Sequence, residues 1–196
     1  MEDIMPTLEE SIQSQFGVIE GKELYAISSF FNKSTLGKNE FFLKEGKPCD
    51  KLSFVQSGYL RVFKASQVKE VTQWISYPGY FITDLSSLLF ETPARWTIQA
   101  LTDVTLYTIG KEDYESLGTL VPRWHELEKL FIANCFTALE DRIHNHLSMD
   151  ARQRYHCFFE NNKELFNQVP LQYIASMLGM TPETLSRLRN RETLTS

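Results

Sequence analysis

Apolar residues in the first thirty-one positions recur near helical spacing. Leu8, Ile12, Phe16, Leu24, Ile27, Phe30 and Phe31 predict helix over residues 7–31, interrupted at Gly17 and Gly21. From 37 to 110 the texture changes to short β-prone runs: Phe41–Leu43, Leu52–Val55, Tyr59–Phe63, Val71–Ile75, Thr97–Leu101 and Leu106–Ile109. Turn residues separate them at Gly46 with Pro48, Ser57-Gly58, Pro78-Gly79 and Thr102-Asp103. Strands at intervals of about 8–12 residues predict an antiparallel barrel or sandwich. Thr83 to Phe90 lacks alternation and predicts a short helix inside the β region.

Helix signals return at Lys111-Glu112-Asp113-Tyr114. Pro122 suits a first helical position, and neither Gly nor Pro follows until Pro170. A helix over roughly 122–147 would be about 39 Å long. Trp124, Leu127, Leu130, Phe131, Asn134 and Ala138 make a stripe on it, either core-facing or the seam of a dimer. A helix longer than a small barrel needs favours the dimer seam. Ser148 or Asp150 caps a further helix over 150–160, and Asn161-Asn162-Lys163 forms a loop. Two short helices follow, over 171–178 and 182–190.

Those two helices form the most informative window. Ile174, Ala175 and Leu178 make an inner face, and Ala175 is small enough for a second helix to cross close to it. Gly179 takes positive φ and ends the first helix. Thr181 caps the second, with Pro182 in its first turn. Leu185 and Leu188 pack back, which leaves Glu183, Thr184, Ser186, Arg187 and Arg189 outward. This is the pattern of a helix-turn-helix, whose second helix reads the major groove of double-stranded DNA. Arg187 suits guanine O6 and N7, Glu183 a cytosine amino group, and Thr184 and Ser186 a base edge or a phosphate. Thr181 at the cap belongs to the same surface. Arg189 and Arg191 suit phosphates, and Gln172 and Tyr173 on the first helix reach toward the backbone.

Charge supports a DNA-facing end only mildly. The 196 residues carry a net charge of −5, which argues against a protein that coats nucleic acid indiscriminately. Residues 151–196 hold six Lys and Arg against four Asp and Glu, so the excess of acid lies in the rest. Three dispersed cysteines, Cys49, Cys135 and Cys157, give no CxxC pair, so neither a zinc ribbon nor a disulfide framework is expected. No stretch approaches the roughly 18–20 apolar residues of a membrane span, and no signal pattern opens the chain. A cytoplasmic protein without a membrane partner is expected.

Taken together, these features resemble the cyclic-AMP receptor protein/FNR (Crp/Fnr) family of transcription regulators. Phe41 to Gly46 and Leu52 to Val62 are similar to the opening strands of that family's nucleotide-binding β-roll, and Pro78-Gly79-Tyr80-Phe81 to the turn entering its phosphate cassette. The resemblance implies an α+β chain: an antiparallel jelly-roll-like sensory roll (1–120), a central dimerisation helix (121–147) and a winged-helix-like DNA-binding domain (148–196). It further implies a homodimer that contacts RNA polymerase. The family cassette is Gly-Glu-Leu followed about ten residues later by Arg-Ser/Thr-Ala, where Glu takes the ribose and Arg the cyclic phosphate. Here Ile82-Thr83-Asp84-Leu85 and Pro93-Ala94-Arg95-Trp96-Thr97 stand in those places. Thr83 replaces the Gly, Asp84 is shorter than Glu, and a one-residue shift would aim Arg95 off the pocket. The effector is therefore a cyclic nucleotide, another small ligand among Tyr59, Phe81, Thr83, Asp84, Arg95, Trp96 and Thr97, or none. The family's wing is expected to be reduced or replaced by a helical turn over Asn161 to Val169.

Other chemistries find little support. An iron–sulfur sensor needs cysteines near the N-terminus. His144 and His146 are two apart on a helix, so their rings diverge and no haem or metal site is expected. A cupin-type oxygenase needs histidines inside the roll, yet all four lie at 125 or beyond. No GxSxG, HExxH, Walker A or GxGxxG pattern occurs, so no catalytic residue is assigned. The alternative to a DNA-binding regulator is a ligand-sensing roll that acts through a protein partner.

Overall fold

The computed structural model describes residues 7–17 and 19–193. Two four-stranded antiparallel sheets form a β-roll. One is ordered β1 (Asn32–Leu36), β8 (Val104–Gly110), β3 (Lys51–Ser57), β6 (Phe81–Ile82); the other β2 (Phe41–Leu43), β7 (Thr97–Ala100), β4 (Leu60–Ala65), β5 (Glu70–Ser76). Side chains alternate across each strand, so one set fills the space between the sheets. That interior holds Phe42, Leu43, Val55, Leu60, Val62, Ile98 and Leu106, all buried. β3 is apolar without alternation because both of its faces are covered. Val55 points into the roll, whereas Leu52 and Phe54 point to a helical layer outside it.

That layer consists of α1 (Leu8–Phe16), α2 (Gly21–Ser28), α4 (Lys111–Leu120) and the start of α5 (Trp124–Ser148); α3 (Leu85–Phe90) sits within the β region. A capping box opens α1: Thr7 Oγ1 accepts from Glu10 N at 3.2 Å, and the Glu10 carboxylate accepts from Thr7 N at 2.8 Å. Phe16 then stacks on Phe131 at 4.5 Å and on Trp124 at 5.7 Å between ring centroids. The helix expected over 7–31 is thus two helices, and its end gives way to β1. β1 reads poorly because Asn32-Lys33-Ser34-Thr35 is polar. It is an edge strand paired only with β8, where the Ser34 and Thr108 hydroxyls bond at 3.0 Å.

After α5, Asp150 and Gln153 form a second capping box that starts α6 (Ala151–Asn161). The remaining elements are α7 (Leu165–Gln168), α8 (Leu171–Met177) and α9 (Pro182–Thr193). α7 is the helical turn expected in place of the wing. A third cluster joins Tyr155, Phe166, Ile174, Ala175, Leu178 and Leu185 of these helices to Ile75 and Leu101 of the roll. The C-terminal helices therefore pack directly on the roll. Among the described residues no helix is long and apolar enough to cross a membrane.

Candidate nucleic-acid interface and sensory roll

The α8–α9 elbow is built by backbone hydrogen bonds that the sequence dictates locally. Gly179 N–H donates to Ser176 O at 3.2 Å, and Met180 N–H donates to Ala175 O at 3.0 Å. This pairing closes a helix only when the residue after the cap is left-handed. Gly179 supplies that residue with φ +67°, and a Cβ there would also meet the His146 ring at 3.4 Å. Thr181 Oγ1 accepts from Thr184 N at 3.3 Å and caps α9. Ala175 and Leu185 are fully buried where the two helices cross.

Thr181, Glu183, Ser186, Arg187 and Arg191 are exposed, and Thr184 is half-buried. Glu183 and Arg187 are one turn apart on that surface. The backbone N–H of Glu183, the Thr181 hydroxyl and the Arg187 charge hold the Glu183 carboxyl below its ordinary range. Arg189 leans inward, with Nη2 3.4 Å from Asn167 Oδ1. Gln172 is exposed at the start of α8.

Tyr173 is placed otherwise than expected. Its ring lies under the guanidinium of Arg61 on β4, with Cζ 3.9 Å from the centroid. One turn on, Ser176 Oγ accepts from Thr72 N on β5 at 3.0 Å. This side of α8 faces the roll, so Tyr173 is not presented outward with Gln172. Arg61 is only 2% exposed and is held from three sides. Its Nε donates to Thr72 Oγ1 at 2.9 Å, Nη1 pairs with Glu70 at 2.6 Å, and Phe63 lies 4.1 Å beneath it. The signal for Arg61 was a lone arginine in an apolar strand.

The roll brings Asp84 and Arg95 into contact but scatters the aromatic residues expected around an effector. Asp84 is buried, with Oδ1 accepting from Ser87 N at 3.1 Å as the cap of α3 and Oδ2 accepting from Arg95 N at 2.8 Å. Both carboxylate oxygens are thus engaged by backbone, while Arg95 is exposed. Thr83 Oγ1 donates to Lys51 O at 2.8 Å, and Thr97 Oγ1 accepts from Glu45 N at 3.1 Å. The three aromatic candidates separate. Phe81 packs outside with Phe16, Phe54 and Phe131, Trp96 with the roll interior, and Tyr59 with the C-terminal helices. Burial, and secondarily the Glu164 charge, raises the Tyr59 hydroxyl above its ordinary value. Phe81 lies on β6, whereas Trp96 and Tyr59 lie just before β7 and β4, and each segment turns its ring to a different cluster, which a linear reading that treated them as one pocket could not register.

The stripe expected on α5 divides between core and surface. Trp124, Leu127 and Phe131 are buried within their own chain against α1 and the roll. Asn134 donates to Gln15 O at 2.8 Å, and Ala138 faces Trp74 and Arg142 across a cavity. The other three of the six, Leu130, Asn134 and Ala138, four residues apart, are exposed. Beyond that stripe, the large apolar residues that α5 leaves exposed are Ile132, Phe136, Leu139, Ile143 and Leu147. The first four are spaced four, three and four apart, a coiled-coil rhythm about one residue's rotation from the buried face. That spacing is present in the sequence and was masked by the stronger aromatic stripe beside it.

A roll, a long helix with two apolar faces and a terminal helix-turn-helix define the class of fold. Residues 33–118 match the family model of the cyclic nucleotide-binding domain, and 84–90% of the chain shares the fold of solved structures that include a regulator described as of the crp/fnr family. FixK2 from Bradyrhizobium japonicum is similar in structure at 17% identity and a TM-score of 0.72, over 84% of this chain and 85% of that one. The regulator CLP from Xanthomonas campestris, described as responsive to c-di-GMP, shares 15% identity and a TM-score of 0.67, covering 90% and 93%. A protein from Eubacterium rectale described as a regulator of the crp/fnr family shares 17% identity and a TM-score of 0.66, covering 90% and 85%. No curated protein matches the chain by sequence.

Proposed function

We propose that this chain is a homodimeric, sequence-specific DNA-binding transcription regulator of the cytoplasm. The observation that carries the reading is the α8–Gly179–α9 elbow, which leaves Thr181, Glu183, Thr184, Ser186 and Arg187 on the open side of α9. Arg187 reads a guanine, with Glu183 beside it selecting the neighbouring base. Gln172 and Arg191 set position on phosphates, with Arg189 at the edge of the contact. Two copies pair through Ile132, Phe136, Leu139 and Ile143, so the operator is two-fold symmetric. RNA polymerase is its partner at the promoter, and a small effector sets its activity. Because both Asp84 carboxylate oxygens accept from backbone N–H groups and Arg95 is exposed, that effector is not gripped as the family grips a cyclic phosphate.

An unbiased selection from random duplex DNA at fixed salt tests this reading. Enrichment of a pseudo-palindromic site is expected. No preference over random sequence, with or without candidate effectors, overturns it.

A further inference from the structure

A cavity of about 430 Å³ lies where the roll, α5 and the C-terminal helices meet, and none of the readings above uses it. Its volume falls in the range of small-molecule sites, roughly 300–1,000 Å³. One wall is aromatic. Trp74 and Tyr80 are 5.8 Å apart and tilted, and Tyr77 and Tyr80 are 4.5 Å apart. Phe158 of α6 also lines it. Two guanidinium groups flank the space. Arg142 of α5 sits 4.7 Å over the Trp74 ring and donates to Gln73 O. Arg154 of α6 donates to Leu178 O at 2.9 Å and to Met149 O at 2.6 Å.

Neither arginine is within ion-pair distance of a carboxylate among the described residues, although Asp141 also lines the cavity. Both are half-buried, and a guanidinium whose hydrogen bonds go only to carbonyls retains unused donors and a charge with no counter-ion. An anion between the two would satisfy both, and a flat ring beside it would find Trp74, Tyr77 and Tyr80.

We propose that this junction cavity binds a planar aromatic anion, its ring against Trp74 and Tyr80 and its acidic group on Arg142 and Arg154. Its walls come from β5 and the following turn, from α5, and from the α6–α8 region, so an occupant touches the roll and the helix-turn-helix body at once. This makes the cavity the effector site of the regulator proposed above. The consequence for DNA rests on that reading, and the binding itself does not.

The test uses the full chain without DNA and two fluorescent probes of similar shape, anionic 1-anilinonaphthalene-8-sulfonate and neutral N-phenyl-1-naphthylamine. The sulfonate is expected to bind one per chain. Arg142→Gln should weaken it at least tenfold while changing the neutral probe less than twofold. Asn145→Trp, which fills the cavity from α5, should abolish both and keeps the test decisive if Arg142→Gln does not fold. Three results overturn the proposal: no binding of the sulfonate, equal loss of both probes in Arg142→Gln, or undiminished binding in Asn145→Trp. A failed operator selection would leave this result standing.

Discussion

The guanidinium carbon of Arg61 on β4 lies 3.9 Å from the ring centroid of Tyr173 on α8, joining the β-roll to the first helix of the helix-turn-helix. A buried arginine stacked on an aromatic ring is worth up to about 2 kcal/mol. The neighbouring Glu70 is half-exposed, so its ion pair adds less than its short distance suggests. Thr72 N–H to Ser176 Oγ is the second tie between the same two bodies.

Replacing Tyr173 by Leu keeps the apolar contact and removes the stack. It should cost about 1 kcal/mol of stability in chemical denaturation. Arg61→Ala also strips Thr72 of its partner and opens a void, and should cost about 2–3 kcal/mol. Equal and negligible effects would show that the two bodies are not tied through this pair. Because the contact covers one side of α8, Tyr173→Leu should also bind operator no more weakly than the wild type.

Asp84→Asn should behave as a structural lesion. It weakens the cap of α3 and the bond from Arg95 N–H, and should cost about 1–2 kcal/mol by thermal or urea unfolding. Calorimetry with cyclic AMP should give the same result before and after the change. A variant that keeps its stability and alters nucleotide binding would return Asp84 to the ligand.

Gly179→Ala places a side chain at φ +67° beside His146. The conformational cost is about 1–2 kcal/mol, and the angle between α8 and α9 should shift. Operator affinity is expected to fall more than stability does, measured by mobility shift and by unfolding on the same preparation.

Arg187→Ala should weaken specific binding by about 1–3 kcal/mol and relax one base position in a repeated selection. Arg191→Ala should instead weaken binding to all sequences and lower the salt dependence, as loss of a phosphate contact does. An Arg187→Ala protein that reads its site unchanged would place recognition elsewhere on α9.

Phe136→Glu and Leu127→Glu separate the two faces of α5. Phe136 is 59% exposed, so its replacement should leave the chain folded and monomeric in sedimentation analysis. Leu127 is fully buried, and a carboxylate there should unfold the chain. A dimeric Phe136→Glu protein would move the seam off Ile132, Phe136, Leu139 and Ile143.

The elbow at Gly179 was legible from sequence because each of its parts acts over a few residues. A left-handed glycine, a threonine cap and a proline in the first turn need no distant partner. The same holds for Asp84: its place at the head of a helix inside the β region could be read, but its second bond, to Arg95 N–H, could not. β1 was missed for the opposite reason, since a polar edge strand carries almost no hydropathy signal and is fixed by pairing with β8.

Sequence by itself determined the order of most elements, the break and caps of the terminal helices, and the outward placement of Glu183, Ser186 and Arg187 on α9, because local hydrogen bonding and periodicity set all three. Only the tertiary structure decided which apolar face of α5 stays open, that Tyr173 turns to Arg61, and that Phe81, Trp96 and Tyr59 part company. Those outcomes depend on which surface comes to lie opposite, and residues such as Arg61 and Tyr173 meet across more than a hundred positions of chain, where no local pattern constrains them.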